Sequence, residues 1–203
     1  MNLHFERESQ RFYRCPVCGF IRRDPHSMLD EEQERNRYLL HENTLTNKGY
    51  VEYLNRFIDQ QVLPNLRESD PKILDFGSGP LPVLSDLLKA RGYDVNSYDK
   101  YFSTDESYKE DRYDLILLLE VIEHVLDPYS VLSGLVEIMK PGAKIILQTL
   151  LVDDRINQEF GTWWYKEDMT HISFYTKESF EILARHLGLT VGDCGKNVMI
   201  FLK

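Results

Sequence analysis

The stretch Lys72-Ile73-Leu74-Asp75-Phe76-Gly77-Ser78-Gly79-Pro80 constrains this chain more than any other. Its apolar half is short, follows Pro71 and runs straight into glycines, the pattern of a buried strand ending in a turn. Gly77 and Gly79 allow a backbone path that side chains would obstruct. Beyond Pro80, Leu84, Leu87 and Leu88 recur at helical spacing, and Gly92 supplies a left-handed stop. Strand, glycine turn and helix N-terminus make a nucleotide-binding corner, where backbone N–H groups face a ligand. The glycines alone also fit a surface turn. Asp99, however, ends the next apolar segment, at the separation where dinucleotide folds place a ribose-binding acid. Asp75, inside the corner, suits a ligand carrying an amine or positive charge and crowds a pyrophosphate.

The rest of the chain alternates strands with helices. Asp94 to Tyr98 reads as the second strand, and the polar stretch Ser103 to Arg112 crosses to Tyr113–Leu119. That strand is almost wholly aliphatic, as a central parallel strand covered on both faces should be. Asp127 and Pro128 open a helix as N-cap and first residue. Val131, Leu132, Leu135, Val136 and Met139 form its buried stripe, and Pro141-Gly142 ends it before a strand from Lys144 to Leu150. Leu151–Tyr175 has no regular periodicity, and irregular segments of such length are often functional. Thr176 caps a last helix with Phe180, Leu183, Ala184 and Leu187 inward. Leu189–Asp193 and Asn197–Leu202 then close the sheet as a hairpin around Cys194-Gly195-Lys196. Ahead of the glycine corner, Leu29–Arg37 is a charged helix with acids first and bases last. Lys48–Gln61 is an amphipathic one carrying Tyr50, Val51, Leu54, Phe57 and Ile58 on one face.

Taken in order, these motifs resemble the class I S-adenosylmethionine-dependent methyltransferases. The matching pieces are Ile73–Gly79, Asp99, Tyr113-Asp114-Leu115-Ile116 leading into Glu120-Val121-Ile122-Glu123-His124-Val125, and Met139-Lys140-Pro141-Gly142-Ala143. The resemblance covers residues 70–203. It implies an α/β, Rossmann-like, seven-stranded, mostly parallel sheet with an antiparallel C-terminal hairpin and helices on both faces. It also implies S-adenosyl-L-methionine as cofactor, and transfer of a methyl group to an oxygen, nitrogen or carbon of a small-molecule acceptor. The expected division is a knuckle-like segment at 1–28, a helical cap at 29–69 and the catalytic domain at 70–203. Asp75, Gly77, Ser78 and Gly79 would hold the methionine end of the cofactor, Asp99 both ribose hydroxyls, and Glu120 would lie near the methionine amine. For Glu120 an ordinary strand-end acid is the alternative.

His124 follows a strand at the edge where the methyl group would lie. His171 closes the run Trp163-Trp164-Tyr165-Lys166-Glu167-Asp168-Met169-Thr170-His171, which in similar methyltransferases closes over the substrate. His124, His171 and Tyr165 are therefore the catalytic candidates, since an imidazole suits proton removal near working pH. For His171 the alternative is a hydrogen-bonded latch, with Asp168 either orienting it or binding a substrate hydroxyl. Trp163, Trp164 and Tyr165 would wall an apolar acceptor, although adjacent tryptophans in an extended segment cannot both face inward. Tyr38 and His41 are either pocket residues or packed interface residues.

Composition closes off other classes. The 203 residues carry a net charge of −9, which argues against a sequence-independent grip on nucleic acid. No apolar run reaches membrane-spanning length and Met1–Arg14 is polar, so neither a membrane segment nor a signal peptide is expected and the cytoplasm is the default location. Arg11, Arg14, Arg22 and Arg23 read as a solvated face, or as a dock for an acidic substrate or partner. Cys15-Pro16-Val17-Cys18-Gly19 has the spacing of half a zinc ribbon; the methyltransferases it resembles often carry two knuckles, and the first is missing here. Cys15 and Cys18 supply two of the four ligands that tetrahedral zinc requires, with His4 and His26 the nearest substitutes. Zinc there, or a bare turn, both fit, while Cys194 is expected in a core strand. A nucleotide-dependent dehydrogenase and a non-catalytic methyltransferase-like binding protein are the rival functions. Asp75 and the short glycine pattern disfavour the first; the joint presence of Asp75, Gly77, Gly79, Asp99 and His124 disfavours the second. The oligomeric state is left open.

Overall fold

The computed structural model describes every residue except Ser9, Asp193 and Cys194. The chain begins as an antiparallel ribbon of β1 (Asn2–Arg7), β2 (Gln10–Arg14) and β3 (Ile21–Arg23). Asp30 then starts α1 (Glu31–Tyr38) by a capping box, accepting from the Gln33 N–H while the Gln33 side chain accepts from its own. α1 buries no residue, as its charged sequence foretells. α2 (Lys48–Phe57) is amphipathic, burying Leu54 and Phe57, and runs on through one π turn at Ile58–Val62.

The main sheet follows. β4 (Lys72–Phe76) leads through the glycines to α3 (Val83–Ala90), and β5 (Asp94–Tyr98) leads to β6 (Tyr113–Leu119). Next come α4 (Pro128–Glu137), β7 (Met139–Gln148), α5 (Asp154–Gln158), β8 (Ser173–Phe174), α6 (Lys177–His186), β9 (Thr190–Val191) and β10 (Val198–Leu202). The sheet order is β5-β4-β6-β7-β10-β9. The first four strands are parallel, and β10 runs antiparallel to both neighbours. The doubly wound sheet with a C-terminal hairpin is as expected, with one correction: it has six strands among the described residues rather than seven. The polar stretch 103–112 contributes a single Asp99–Ser103 bridge and a 3₁₀ turn at Glu106–Glu110 on its way to β6. β7 also starts earlier than expected, at Met139, because Gly142 with φ of +79° lets a bulge absorb Pro141. The expectations for Asp193 and Cys194 fall outside the described residues.

Strand periodicity of two sorts the side chains into two layers. Ile73, Leu115, Leu117 and Ile146 face α2 and α3, packing on Leu54, Phe57, Val83 and Leu88. Leu74, Ile116, Leu118, Ile145 and Leu147 face α4 and α6, packing on Leu132, Leu135, Phe180 and Ala184. Asp127 and Pro128 start α4, and Thr176 starts α6 through a capping box with Ser179.

A second sheet, β1-β2-β3-β8, joins the N-terminal ribbon to the irregular segment after β7. Phe12 and Ile21 from the ribbon bury themselves with Phe160, Trp163, Tyr165 and Phe174. Arg23, expected on a solvated face, is instead 0% exposed. Its Nε donates to the His171 carbonyl at 3.0 Å, and one Nη donates to the carbonyls of Lys166 at 2.6 Å and Asp168 at 3.0 Å. The guanidinium lies 4.7 Å from the Phe12 ring centre, and burial pulls its pKa down to about 10. The planar fork suits several fixed carbonyls at once, which an ammonium could not match. Arg22 donates to the Leu126 carbonyl and Arg11 pairs with Glu6, so two further members of the cluster are engaged.

Arg23→Ala should therefore lower stability by about 3–5 kcal/mol, since it strands three carbonyls in a dry interior. Arg23→Lys should recover only part of that. Urea denaturation midpoints check both, and a loss under 1 kcal/mol would make the arginine incidental to the fold.

Candidate active site

The glycine corner forms because the backbone after β4 must turn under a neighbour. Gly77 and Ser78 donate their N–H groups to the Tyr98 carbonyl at 2.7 and 3.0 Å. Gly77 has φ of +84°, and a Cβ there would stand 2.5 Å from Val121 Cγ2, so no other residue fits. Gly79, with φ of +71°, meets the opposite situation: a Cβ would touch nothing within 4 Å. Its N–H donates to Asp99 Oδ2 at 2.9 Å, while Asp99 Oδ1 accepts from the N–H groups of Tyr101 at 2.8 Å and Phe102 at 3.1 Å. Both carboxylate oxygens are thus oriented, with lone pairs to spare. The Ser78 hydroxyl is buried without a partner. An open cradle at Gly79, an orphaned hydroxyl and an oriented acid fit a nucleoside with a polar amino-acid tail. Asp75 lies just beneath, 3% exposed, and accepts from the Ser85 hydroxyl on α3 at 2.8 Å. Burial raises its pKa to about 6.

Beside this corner, the turn after β6 and the segment around Tyr165 and His171 converge. Glu120 adopts φ of +54°, a conformation that side-chain-bearing residues rarely hold. Glu123 is fully buried. The Tyr165 hydroxyl lies 2.5 Å from Glu123 Oε1, 3.1 Å from Thr149 Oγ1 and 3.2 Å from Glu120 Oε2. Burial pushes both glutamates up, Glu123 the further because Glu120 stands next to it. His124 Nδ1 meets the Thr170 carbonyl at 2.9 Å, and His171 Nδ1 meets the Tyr165 carbonyl at 2.7 Å. A carbonyl only accepts, so each Nδ1 carries the proton and each Nε2 keeps a lone pair. Burial, then the neighbouring His171, pulls His124 down to about 3; burial lowers His171 as well. Both rings are neutral near pH 7, with centres 4.8 Å apart.

Several expected side chains take other places. Asp168 does not orient the His171 ring. Although burial works to raise its pKa, bonds from the Thr170 hydroxyl and N–H and from Arg37 hold it well below the usual range. Trp163 is buried and Trp164 is 69% exposed, so only one tryptophan backs the site. Tyr38 sets its ring edge-on to His124 at 5.2 Å, with His41 exposed behind it. Glu34 accepts from the hydroxyls of Tyr38 at 2.6 Å and Tyr101 at 2.7 Å and from Lys100 at 2.9 Å. Through Glu34 and Arg37, α1 bridges the Asp99 loop and the His171 segment. Glu34 and Glu123 are not among the expected site residues; Glu123 carries a signal in its place in Glu120-Val121-Ile122-Glu123-His124, and Arg23 only in the basic cluster around the cysteines.

The cysteine knuckle is the turn between β2 and β3. The Cys15 N–H donates to the Phe20 carbonyl at 2.8 Å, and the Cys18 carbonyl accepts from the Thr176 hydroxyl at 2.7 Å. His4 packs on Phe160 and His26 sits in the Pro25–Ser27 turn. Among the described residues neither joins Cys15 and Cys18 in a three-donor group.

Asp75 makes a pH signature. Its folded pKa stands above the unfolded value, so the stability it contributes is present below about pH 4 and lost as pH rises through about 6. Relative to Asp75→Asn, the wild type without ligand should lose about 2 kcal/mol between pH 4 and pH 7.5. Parallel urea titrations at the two pH values measure this, and identical pH dependence in both proteins would refute it.

A family model described as a methyltransferase domain matches residues 50–192. Ubiquinone biosynthesis O-methyltransferases of Aeromonas salmonicida (strain A449) and Escherichia fergusonii are 29% and 31% identical to the chain over 77 residues, 38% of this chain and 32% of each relative. The match thus spans about a third of the length of those curated relatives. The fold is similar to magnesium protoporphyrin IX methyltransferase from Synechocystis PCC 6803 with bound SAH, with a TM-score of 0.58, 14% identity, and 85% of this chain and 94% of that one covered. It is also similar to an O-methyltransferase family protein from Burkholderia thailandensis, with a TM-score of 0.55, 15% identity, and coverage of 85% and 59%. These structural likenesses speak to the fold alone. The family match runs through the glycine corner, Asp99, the Glu120–His124 turn and the His171 segment, and the chain belongs to this methyltransferase-domain family.

Proposed function

We propose that the chain methylates a hydroxyl oxygen of a small-molecule acceptor bound between the glycine corner and the His124–His171 pair. The observation that carries this is the donor-poor wall beside the corner: two neutral imidazoles with free Nε2 lone pairs, backed by Glu120 and Glu123. Such a wall recognises a group that brings its own proton, as a hydroxyl does. The names of the O-methyltransferase relatives point the same way.

The bound cofactor supplies an already activated sulfonium methyl group. The open turn at Gly77, Ser78 and Gly79, with the unpartnered Ser78 hydroxyl and Asp75, would hold its methionine end, Asp99 its ribose hydroxyls, and Glu120 its amine. His124 and His171 align the acceptor and take up its hydrogen bond, so the gain comes from orientation and exclusion of water. Tyr165 acts as a positioning residue, since its hydroxyl is spent on Glu123. Residues 1–28 and the 29–69 cap close the site over the 70–203 catalytic domain. No helix among the described residues is long and apolar enough to cross a membrane. We place the enzyme in the cytoplasm, where thiols such as Cys15 and Cys18 stay reduced.

Asp99→Ala should weaken S-adenosylmethionine binding about 10- to 100-fold, the worth of hydrogen bonds to a charged acceptor. Calorimetric titration measures it; unchanged affinity would remove Asp99 from the site.

For His171→Ala, cofactor affinity should stay within about twofold while methyl transfer to phenolic and aliphatic alcohols falls by about a hundredfold. A screen with radiolabelled methyl donor reads the transfer. If cofactor affinity and melting temperature dropped together with turnover per folded enzyme intact, His171 would be a latch. Transfer to amines but never to hydroxyls would overturn the choice of acceptor atom.

A further inference from the structure

We infer that the pocket between α2 and the end of β7, lined by Tyr53, Arg56, Phe57, Gln60, Gln61 and Gln148, holds a carboxylate carried by the methyl acceptor. That the ligand is the methyl acceptor rests on the function proposed above; the preference of the pocket for a carboxylate does not.

Helical spacing builds the pocket. Arg56, Phe57, Gln60 and Gln61 follow Tyr53 at the intervals that place side chains on one face of a helix, here α2 and its π-turn extension. The π turn, Ile58–Val62, widens the helix where Gln60 and Gln61 stand, and such turns recur at functional sites. Phe57 is buried and gives the pocket its apolar side. The cavity measures about 200 Å³, smaller than a whole small-molecule site and suited to one arm of a ligand.

Its charge sets it apart from the neighbouring wall. The side chains of Arg56 and Gln60 have neither an ion pair nor a hydrogen bond with any other described residue. No Asp or Glu lines the pocket, and Asp59, the acid beside Gln60 in the chain, is paired with Arg91 at 2.6 Å. The pocket therefore offers a free guanidinium and amide donors, where the wall around Glu120 offers acceptors. An anionic arm is unfavourable beside Asp75, Glu120 and Glu123 and favourable beside Arg56, which fixes the direction in which such an acceptor lies. The guanidinium fork matches the two oxygens of a carboxylate. Its single positive charge balances one negative charge; a phosphate would bring a second one close to Glu120.

Two residues join the pocket to the site. Gln148 Nε2 donates to the Tyr53 hydroxyl at 2.6 Å, and the Gln148 carbonyl accepts from the Glu120 N–H at 2.9 Å. Burial and then the Glu120 carboxylate raise the Tyr53 pKa, so the phenol keeps its proton. Tyr50 stacks on Tyr53 with ring centres 6.2 Å apart. The pocket thus opens beside the residue placed at the amine of the cofactor.

The test titrates hydroxybenzoate, hydroxyphenylacetate and hydroxyphenylpropanoate, and their uncharged carboxamides, calorimetrically into the full chain with S-adenosylhomocysteine present. At least one acid should bind about tenfold or more tightly than its amide. Arg56→Gln, at an exposed position, should erase most of that preference, and Arg56→Lys should restore part of it. A hydroxyphenyl phosphate should bind less well than the acids; tighter binding would overturn the choice of carboxylate. In radiolabelled methyl transfer the preference should appear in KM, with kcat little changed. Equal binding of acids and amides, no saturable binding by any acid, or a preference that survives Arg56→Gln would each overturn the assignment. Hydroxyls methylated with no preference for the acids would sink this inference alone. A binding preference for the acids, with transfer only to carboxylated amines, would strike the acceptor atom proposed above and leave the pocket standing.

Discussion

Val121 packs against Gly77 so closely that a Cβ on the glycine would come within 2.5 Å of it. The site depends on that contact. It brings the loop after β4 and the turn after β6 together at the carboxyl edge of the sheet, where parallel strands leave a crevice for ligands. With any larger residue at position 77 the two would separate, and the Asp99–Gly79 bond would lose its geometry. The same edge holds Glu120 at φ of +54°, a strained conformation pinned by its N–H bond to the Gln148 carbonyl on the neighbouring strand. That strain aims the turn so that Glu123 points inward and His124 stands beside it.

The second dependency is Arg23. The segment after β7 has little regular structure of its own: short turns, two residues of β8 and a row of aromatic side chains. Order comes from outside, through pairing of β3 with β8 and through a buried guanidinium that holds three of the segment's carbonyls. The N-terminal ribbon is therefore part of what shapes the His171 segment. α1 completes the enclosure, and because it buries no side chain of its own, its hold rests on Glu34, Arg37 and the Tyr38 ring.

The site is rich in acceptors and poor in donors. Asp75 and Glu123 are buried, Glu120 is partly so, and the imidazoles are held neutral with their lone pairs free. A cationic sulfonium cofactor with an amine and a proton-bearing acceptor suit such surroundings. A second anionic group, such as a pyrophosphate, would not. The electrostatics of the site thus agree with the family that the glycine corner indicates.

Much of this was legible in the residues themselves. The glycine corner, the aliphatic parallel strand β6, the caps at Asp127 and Thr176 and the C-terminal hairpin follow from local rules: periodicity, capping chemistry and glycine's freedom at positive φ. Those rules act over a few residues, so they survive without knowledge of what packs against what. Spacing marked Asp99, and the family resemblance marked His124 and His171 as residues of interest. What those residues do required the fold. Arg23 reads as a surface charge until β3 pairs with a strand 150 residues away in the chain; only then do carbonyls surround it. Glu123 looks like one more acid in a turn until Tyr165, His124 and His171 close around it. Trp163 and Trp164 are equal in sequence and opposite in place, one buried and one exposed. Burial and hydrogen-bond satisfaction are set by contacts between distant segments. The sequence determined the scaffold and the cofactor class, and tertiary packing decided which charges are buried, which imidazole nitrogens stay free and what they face.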